Sequence, residues 1–230
     1  MIIFKETLTN ACQQNCFYCI DHACPEKGNF LQKEHAIMFA KTAAALGYDA
    51  VELCGGEPLL HPDICGLIAE IKAIEGIQTV ILTTNGLLLR EKLPQLQTAG
   101  LDAVNLHLDS MSAEGYTAST GLSQQLNVVL DGMWQTVARN IPLTMTVVLQ
   151  EHSVSQWGVA VGLTRRYPIT VRFASFGAVS SDCPPERVLE ALRPSIGDNL
   201  TFDGTRYRVD GWKGSFCFGH GICLAEDALI

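Results

Sequence analysis

Three thiols fall within eight residues near the start of the chain, in Cys12-Gln13-Gln14-Asn15-Cys16-Phe17-Tyr18-Cys19. A loop of that length can wrap three corners of a cubane iron-sulfur cluster, whose irons take thiolate ligands. Three ligands leave one iron open, and an open position can chelate a substrate, which a fully ligated electron-transfer cluster cannot do. Zinc is the competing reading. It wants four ligands, and the fourth would come from His22, Cys24 or a distant residue.

Other polar residues of interest each follow an apolar run. Cys54-Gly55-Gly56-Glu57-Pro58 follows Leu53, Thr84-Asn85-Gly86 follows Thr83, and Asp109-Ser110 follows Leu108. The runs themselves predict strands over Ile2 to Leu8, Ala50 to Cys54, Thr79 to Thr83, Ala103 to Leu108, Leu143 to Leu149 and Thr170 to Phe173. Amphipathic stretches over Gln32 to Leu46, Asp63 to Ile74, Glu91 to Ala99, Gln124 to Arg139 and Ser155 to Tyr167 predict helices between them. Parallel strands joined by right-handed helical crossovers curl into a barrel, so the expected fold is α/β, a partial (β/α)6 TIM-like barrel. The strand ends then gather the four polar loops at one rim, where such barrels place their ligands. Alternation puts Asn105, His107 and Asp109 on one strand face, and Arg172 offers a charged fork that suits a carboxylate or phosphate.

The expected division is 1–195 for the barrel and 196–230 for a short C-terminal appendage, where Asp203-Gly204 between alternating residues signals a β-hairpin. No run of eighteen apolar residues is present, so no membrane span is expected. The first residues lack the features of a secretory signal, which places the protein in the cytoplasm. There, nine cysteines point to metal rather than disulfides. A net charge of −8 argues against nucleic acid as the main partner.

Together, Cys12-x3-Cys16-x2-Cys19 with Tyr18 before the last cysteine, and Gly55-Gly56-Glu57-Pro58 at the end of the second strand, resemble the signatures of the radical S-adenosylmethionine superfamily. The resemblance implies a [4Fe-4S] cluster on Cys12, Cys16 and Cys19 that cleaves S-adenosylmethionine reductively to methionine and a 5′-deoxyadenosyl radical. It also implies oxygen sensitivity and an external reductant of the ferredoxin or flavodoxin type. Tyr18, Gly55, Gly56, Glu57, Thr84, Asn85, His107 and Asp109 would lie along S-adenosylmethionine, with Arg172 on the substrate side. Gly55 and Gly56 would let the backbone approach the ligand closely, and Glu57 would accept a hydrogen bond from its amino group.

Within the superfamily the chain resembles the GTP cyclases of molybdenum-cofactor biosynthesis, through Thr83-Thr84-Asn85-Gly86-Leu87-Leu88-Leu89, Leu108-Asp109-Ser110 and Val171-Arg172-Phe173 among others. Departures from those cyclases concern the substrate. Their second three-cysteine cluster has no recognisable counterpart, a lysine of theirs falls near Thr144, an arginine near Lys5, and His107 stands where they usually carry Ser. Cys217 and Cys223, with Cys183 or His220, are candidates for a second cluster or metal. The leading expectation is therefore hydrogen abstraction from an unassigned peptide or small metabolite in cofactor or natural-product biosynthesis. A divergent GTP cyclase and a non-catalytic iron-sulfur protein are the alternatives.

Overall fold

Apolar runs bounded by polar, Gly or Pro residues set the strands, and apolar spacing of three to four residues sets the helices between them. In the computed structural model, which describes residues 1–19, 28–150, 154–175 and 184–219, β1 (Ile3–Thr7) leads to α1 (Lys33–Ala45), β2 (Ala50–Cys54) to α2 (Ile64–Lys72), and β3 (Thr79–Thr84) to α3 (Leu89–Thr98). After β4 (Ala103–His107) come α4 (Ala113–Thr120) and α5 (Leu126–Ala138); β5 (Leu143–Val148) leads to α6 (Val154–Leu163) and β6 (Ile169–Ala174) to α7 (Pro185–Ile196). The short strands β7 (Leu200–Phe202), β8 (Tyr207–Val209) and β9 (Ser215–Phe218) complete the order. All nine belong to one mostly parallel sheet ordered β1-β2-β3-β4-β5-β6-β9-β8-β7. Among the described residues no helix is long and apolar enough to cross a membrane.

Two units are distinguished by their internal packing. The first comprises Met1–Asn15, Cys19–Asn105 and Val128–Ile141. Its strands β1, β2 and β3 are parallel, with Thr7 opposite Cys54 and Leu53 opposite Leu82. Helix α1 buries only Ala36, Ala40 and Ala43, small side chains that allow a close approach, whereas α2 buries Ile64, Leu67, Ile68 and Ile71. Burying a side chain of that size contributes about 2 kcal/mol each.

The second unit comprises Cys16–Tyr18, Leu106–Asn127 and Pro142–Ile230. Strands β5 and β6 pair parallel, and β9 adds to β6 with Arg172 opposite Cys217. The hairpin signalled by Asp203-Gly204 is formed: β7 and β8 pair antiparallel, with Gly204 at φ +99°. Its strand β8 pairs with β9, so this part of the tail extends the sheet. Phe173 packs against Trp157 and stacks on Phe218, and Tyr207 stacks on Phe216, which ties the tail to β6.

Glu6 on β1 is 3% exposed, and among the described residues neither carboxylate oxygen has a hydrogen-bond partner. Burial pushes its pKa up to about 7 from the ordinary value of 4.5. A carboxyl raised in the folded state makes that state hold more protons than the unfolded one, so stability falls as pH rises between those values. The loss is at most about 3 kcal/mol for a shift of this size. Urea unfolding at pH 5.5 and pH 8 should show the chain less stable at the higher pH, and Glu6→Gln should shrink the difference; an unchanged difference would clear Glu6 of the effect.

Candidate functional site

Because β1 and β2 are parallel and Thr7 lies opposite Cys54, the cysteine loop and the Gly-Gly-Glu loop leave the sheet side by side. They are zipped together by backbone bonds: Leu8 N–H donates to Cys54 O at 2.9 Å, Gly56 N–H to Thr9 O at 2.7 Å and Glu57 N–H to Ala11 O at 2.7 Å. The contact leaves no room for side chains. A Cβ at Gly55, which sits at φ +130°, would overlap the carbonyl oxygen of Thr9, and one at Gly56 would overlap that of Ala11. Close backbone approach was expected at these glycines, and in this structure the backbone they approach is the cysteine loop itself.

Glu57 is fully buried. Its Oε1 accepts from Leu59 N–H at 2.9 Å and from the Thr84 hydroxyl at 2.8 Å, and its Oε2 accepts from Asn85 N–H at 2.7 Å. Desolvation pushes the carboxyl up to about 7, against the downward pull of those three bonds. Thr84 Oγ1 in turn accepts from Gly86 N–H at 3.0 Å. Here these two residues, expected along a ligand, join the second strand loop to the third.

Asn85 reaches the cysteine loop. Its Nδ2 lies 3.6 Å from Cys12 Sγ and donates to Gln13 Oε1 at 3.1 Å. Desolvation by the surrounding loops pushes the Cys12 thiol up, although the residue keeps access to solvent; Gln14 N–H and the Asn85 amide pull it down. Thr9 and Asn10 brace the same loop: Thr9 Oγ1 accepts from Ala11 N–H, and Asn10 Oδ1 accepts from Gly28 N–H and Asn29 N–H. Sequence reasoning missed Gln13, Thr9 and Asn10, whose polar side chains in a cysteine-rich loop were the available signal.

A second polar row crosses the first unit. Glu52, 1% exposed, accepts from the Thr83 hydroxyl at 2.6 Å and pairs with Lys5 Nζ at 3.0 Å. Asn105 Nδ2 donates to Thr83 Oγ1 at 3.0 Å. A charge in the middle of an apolar strand was the sequence signal for Glu52.

In the second unit Tyr18 donates its phenol proton to Asp109 Oδ2 at 2.8 Å, and Asp109 Oδ1 accepts from Val148 N–H at 2.8 Å. Burial, reinforced by the Asp109 charge, pushes the phenol pKa far up, so Tyr18 remains a donor. Arg172 is 4% exposed and donates from Nη2 to Thr146 Oγ1 at 2.7 Å, so it is not a solvated surface arginine. His107 ends β4 and is half-buried. Cys217 is buried on β9. His22, Cys24, Cys183, His220 and Cys223, the other candidates for metal or second-cluster ligation, lie outside the described residues.

The donor chemistry fits an iron-sulfur cluster. One loop carries three thiols, and an amide donor lies beside the sulfur of Cys12, the outer-shell contact that tunes such sites. Among the described residues no three His, Cys, Asp or Glu side chains form a ready-made ion site.

The family model for the radical S-adenosylmethionine superfamily matches residues 7–159. A GTP 3′,8-cyclase of Chlorobaculum tepidum is 36% identical over 168 residues, 72% of this chain and 51% of that protein. One of Limosilactobacillus fermentum is 29% identical over 240 residues, covering 94% and 70% respectively. The chain spans about half the length of the first curated relatives it matches. Among solved structures, Streptococcus suis SuiB bound to S-adenosylmethionine superposes with a TM-score of 0.73 at 16% identity, over 94% of this chain and 50% of that one. That likeness shows the fold, the partial (β/α)6 barrel expected from the alternating elements. The superfamily uses a [4Fe-4S] cluster and S-adenosylmethionine, and with two thirds of its length matched the chain belongs to the radical S-adenosylmethionine superfamily.

Proposed function

We propose that the chain generates a 5′-deoxyadenosyl radical and uses it to take a hydrogen atom from a purine nucleotide, the reaction class of the GTP 3′,8-cyclases it resembles. The supporting observation is the extent of that resemblance, which reaches 94% of this chain in one relative. It favours the cyclase reading over the unassigned peptide or metabolite expected from the sequence. When bound, the cluster supplies the electron that splits S-adenosylmethionine into methionine and the radical. Cys12, Cys16 and Cys19 would hold it. Gly55 and Gly56 keep the cysteine loop docked, and Glu57, Thr84 and Asn85 fix the neighbouring loop against it. Tyr18, His107 and Asp109 are further candidates along S-adenosylmethionine, and Arg172 on the substrate side. A ferredoxin or flavodoxin would deliver the electron in the cell.

One observation favours a second reading, in which the substrate is not a triphosphate. Lys5 stands near the position of a cyclase arginine but is already paired with buried Glu52 at 3.0 Å, and Thr144, near a cyclase lysine, is uncharged. A polyphosphate needs unspent cations. Adding GTP to the reconstituted, reduced chain with S-adenosylmethionine separates the two. The cyclase reading expects 5′-deoxyadenosine to accumulate faster with GTP and GTP to be consumed in step. Release of 5′-deoxyadenosine that GTP neither accelerates nor accompanies with its own loss would move the assignment to the second reading.

A further inference from the structure

We propose that Asp109 is a positioning residue for the cluster loop, acting through Tyr18 to fix where Cys16 stands. The inference rests on the reading that Cys12, Cys16 and Cys19 hold the cluster.

Tyr18 lies two residues after Cys16 and directly before Cys19, and its phenol joins two groups of the unit: it donates to Asp109 Oδ2 at 2.8 Å and also meets the Cys16 thiol. Asp109 is 5% exposed and follows the end of β4. Its other oxygen, Oδ1, accepts from Val148 N–H at the end of β5. Just before it, Leu108 N–H donates to Thr146 O at 3.0 Å, so the carboxylate takes over a rung where the backbone ladder between these segments runs out. One buried carboxylate thus ties the middle of the cysteine motif to the ends of two strands. A second tether is the Phe17 N–H, which donates to Ser119 O at 3.4 Å. A charge-assisted bond at a buried carboxylate is among the stronger hydrogen bonds, and removing its donor forfeits that bond. Strand ends are rigid and loops are not, so the bond gives the loop between Cys16 and Cys19 a fixed reference.

The phenol–carboxylate bond can be removed without disturbing the strands. Tyr18→Phe leaves the Asp109–Val148 bond in place and removes the phenol's link between Asp109 and Cys16. Asp109→Asn keeps an acceptor for Val148 and offers its amide to the Tyr18 oxygen, so it retains both contacts. The full chain and each variant would be reconstituted anaerobically, then examined for iron loss to a chelator and for the electron paramagnetic resonance spectrum of the reduced cluster. Urea unfolding of the apo chains would run alongside. Loss of a charge-assisted bond is expected to speed iron release about tenfold in Tyr18→Phe and to alter its spectrum. Asp109→Asn, which keeps both contacts but loses the charge, is expected to fall between the parent and Tyr18→Phe on both readouts. The proposal is overturned by a Tyr18→Phe chain that matches the parent in iron release and spectrum. It is equally overturned by one whose iron loss merely follows a lower urea midpoint while its retained clusters give the parent spectrum. A parent chain that takes up no iron would instead overturn the cluster reading beneath it.

Discussion

Gly56→Ala is expected to destabilise the chain by about 3 kcal/mol and to cut iron retention at least tenfold, a penalty at the upper end of those for overpacking a tight contact. The added methyl group would meet the carbonyl of Ala11, and backbone atoms cannot swing aside as a side-chain tip can. Either the cysteine loop or the Gly-Gly-Glu loop must therefore retreat. Both neighbouring bonds would be lost in the process, Gly56 N–H to Thr9 O and Glu57 N–H to Ala11 O, each contributing about 1 kcal/mol. Moving Glu57 would also loosen its hold on Thr84 and on Asn85, the residue beside Cys12 Sγ. Urea unfolding of the apo chain and iron analysis after reconstitution give the two readouts. A Gly56→Ala chain as stable as the parent would mean that the two loops are not docked as described.

Cys16→Ala is expected to abolish the cluster. Of the three thiols proposed as ligands, Cys16 is the middle one, and its removal leaves two ligands for a cubane that needs at least three from the chain. Iron should fall from about four per chain to a small residue, and the cluster absorbance should go with it. The apo chain should keep its urea midpoint to within about 1 kcal/mol, because Cys16 is half-buried and lies outside the packed apolar core. Retention of a full cluster by the variant would require another ligand in place of Cys16.

The strands were the most legible part of the fold. Six apolar runs became β1 to β6, with ends displaced by at most one residue, because burial of a parallel strand leaves an unambiguous apolar run. Two helices were not read. Helix α4 spans eight residues, too few for a periodic pattern, although Ser112, which accepts from Gly115 N–H, and Gly121, left-handed at φ 72°, cap its two ends. Helix α7 buries Val188, Leu192 and Ile196 at four-residue spacing, but Pro194 suggests a break; in fact it falls in the last turn, where few bonds remain to lose. Strand β9 was hidden because the tail was read for its cysteines.

At the site, residue types were legible and their partners were not. Glu57, Thr84 and Asn85 stood out as polar residues at strand ends, yet a carboxylate that joins positions 27 and 28 residues apart leaves no local trace. The glycines announced a close approach, expected toward a ligand, and the backbone they meet is that of Thr9 and Ala11. Tyr18 and Asp109 were each singled out for a ligand, and the bond between them spans 91 residues. Such pairings follow from strand order and register, which only the folded sheet supplies.

The most direct test of the radical chemistry is 5′-deoxyadenosine itself. The full chain, reconstituted anaerobically with iron and sulfide and reduced with dithionite, would be given S-adenosylmethionine with and without GTP, beside the Cys16→Ala chain. The expected result is a cluster spectrum that shifts on adding S-adenosylmethionine and 5′-deoxyadenosine formed by the parent alone. A parent that loads zinc in place of iron, or a loaded cluster whose spectrum ignores S-adenosylmethionine and yields no 5′-deoxyadenosine under either condition, would contradict it.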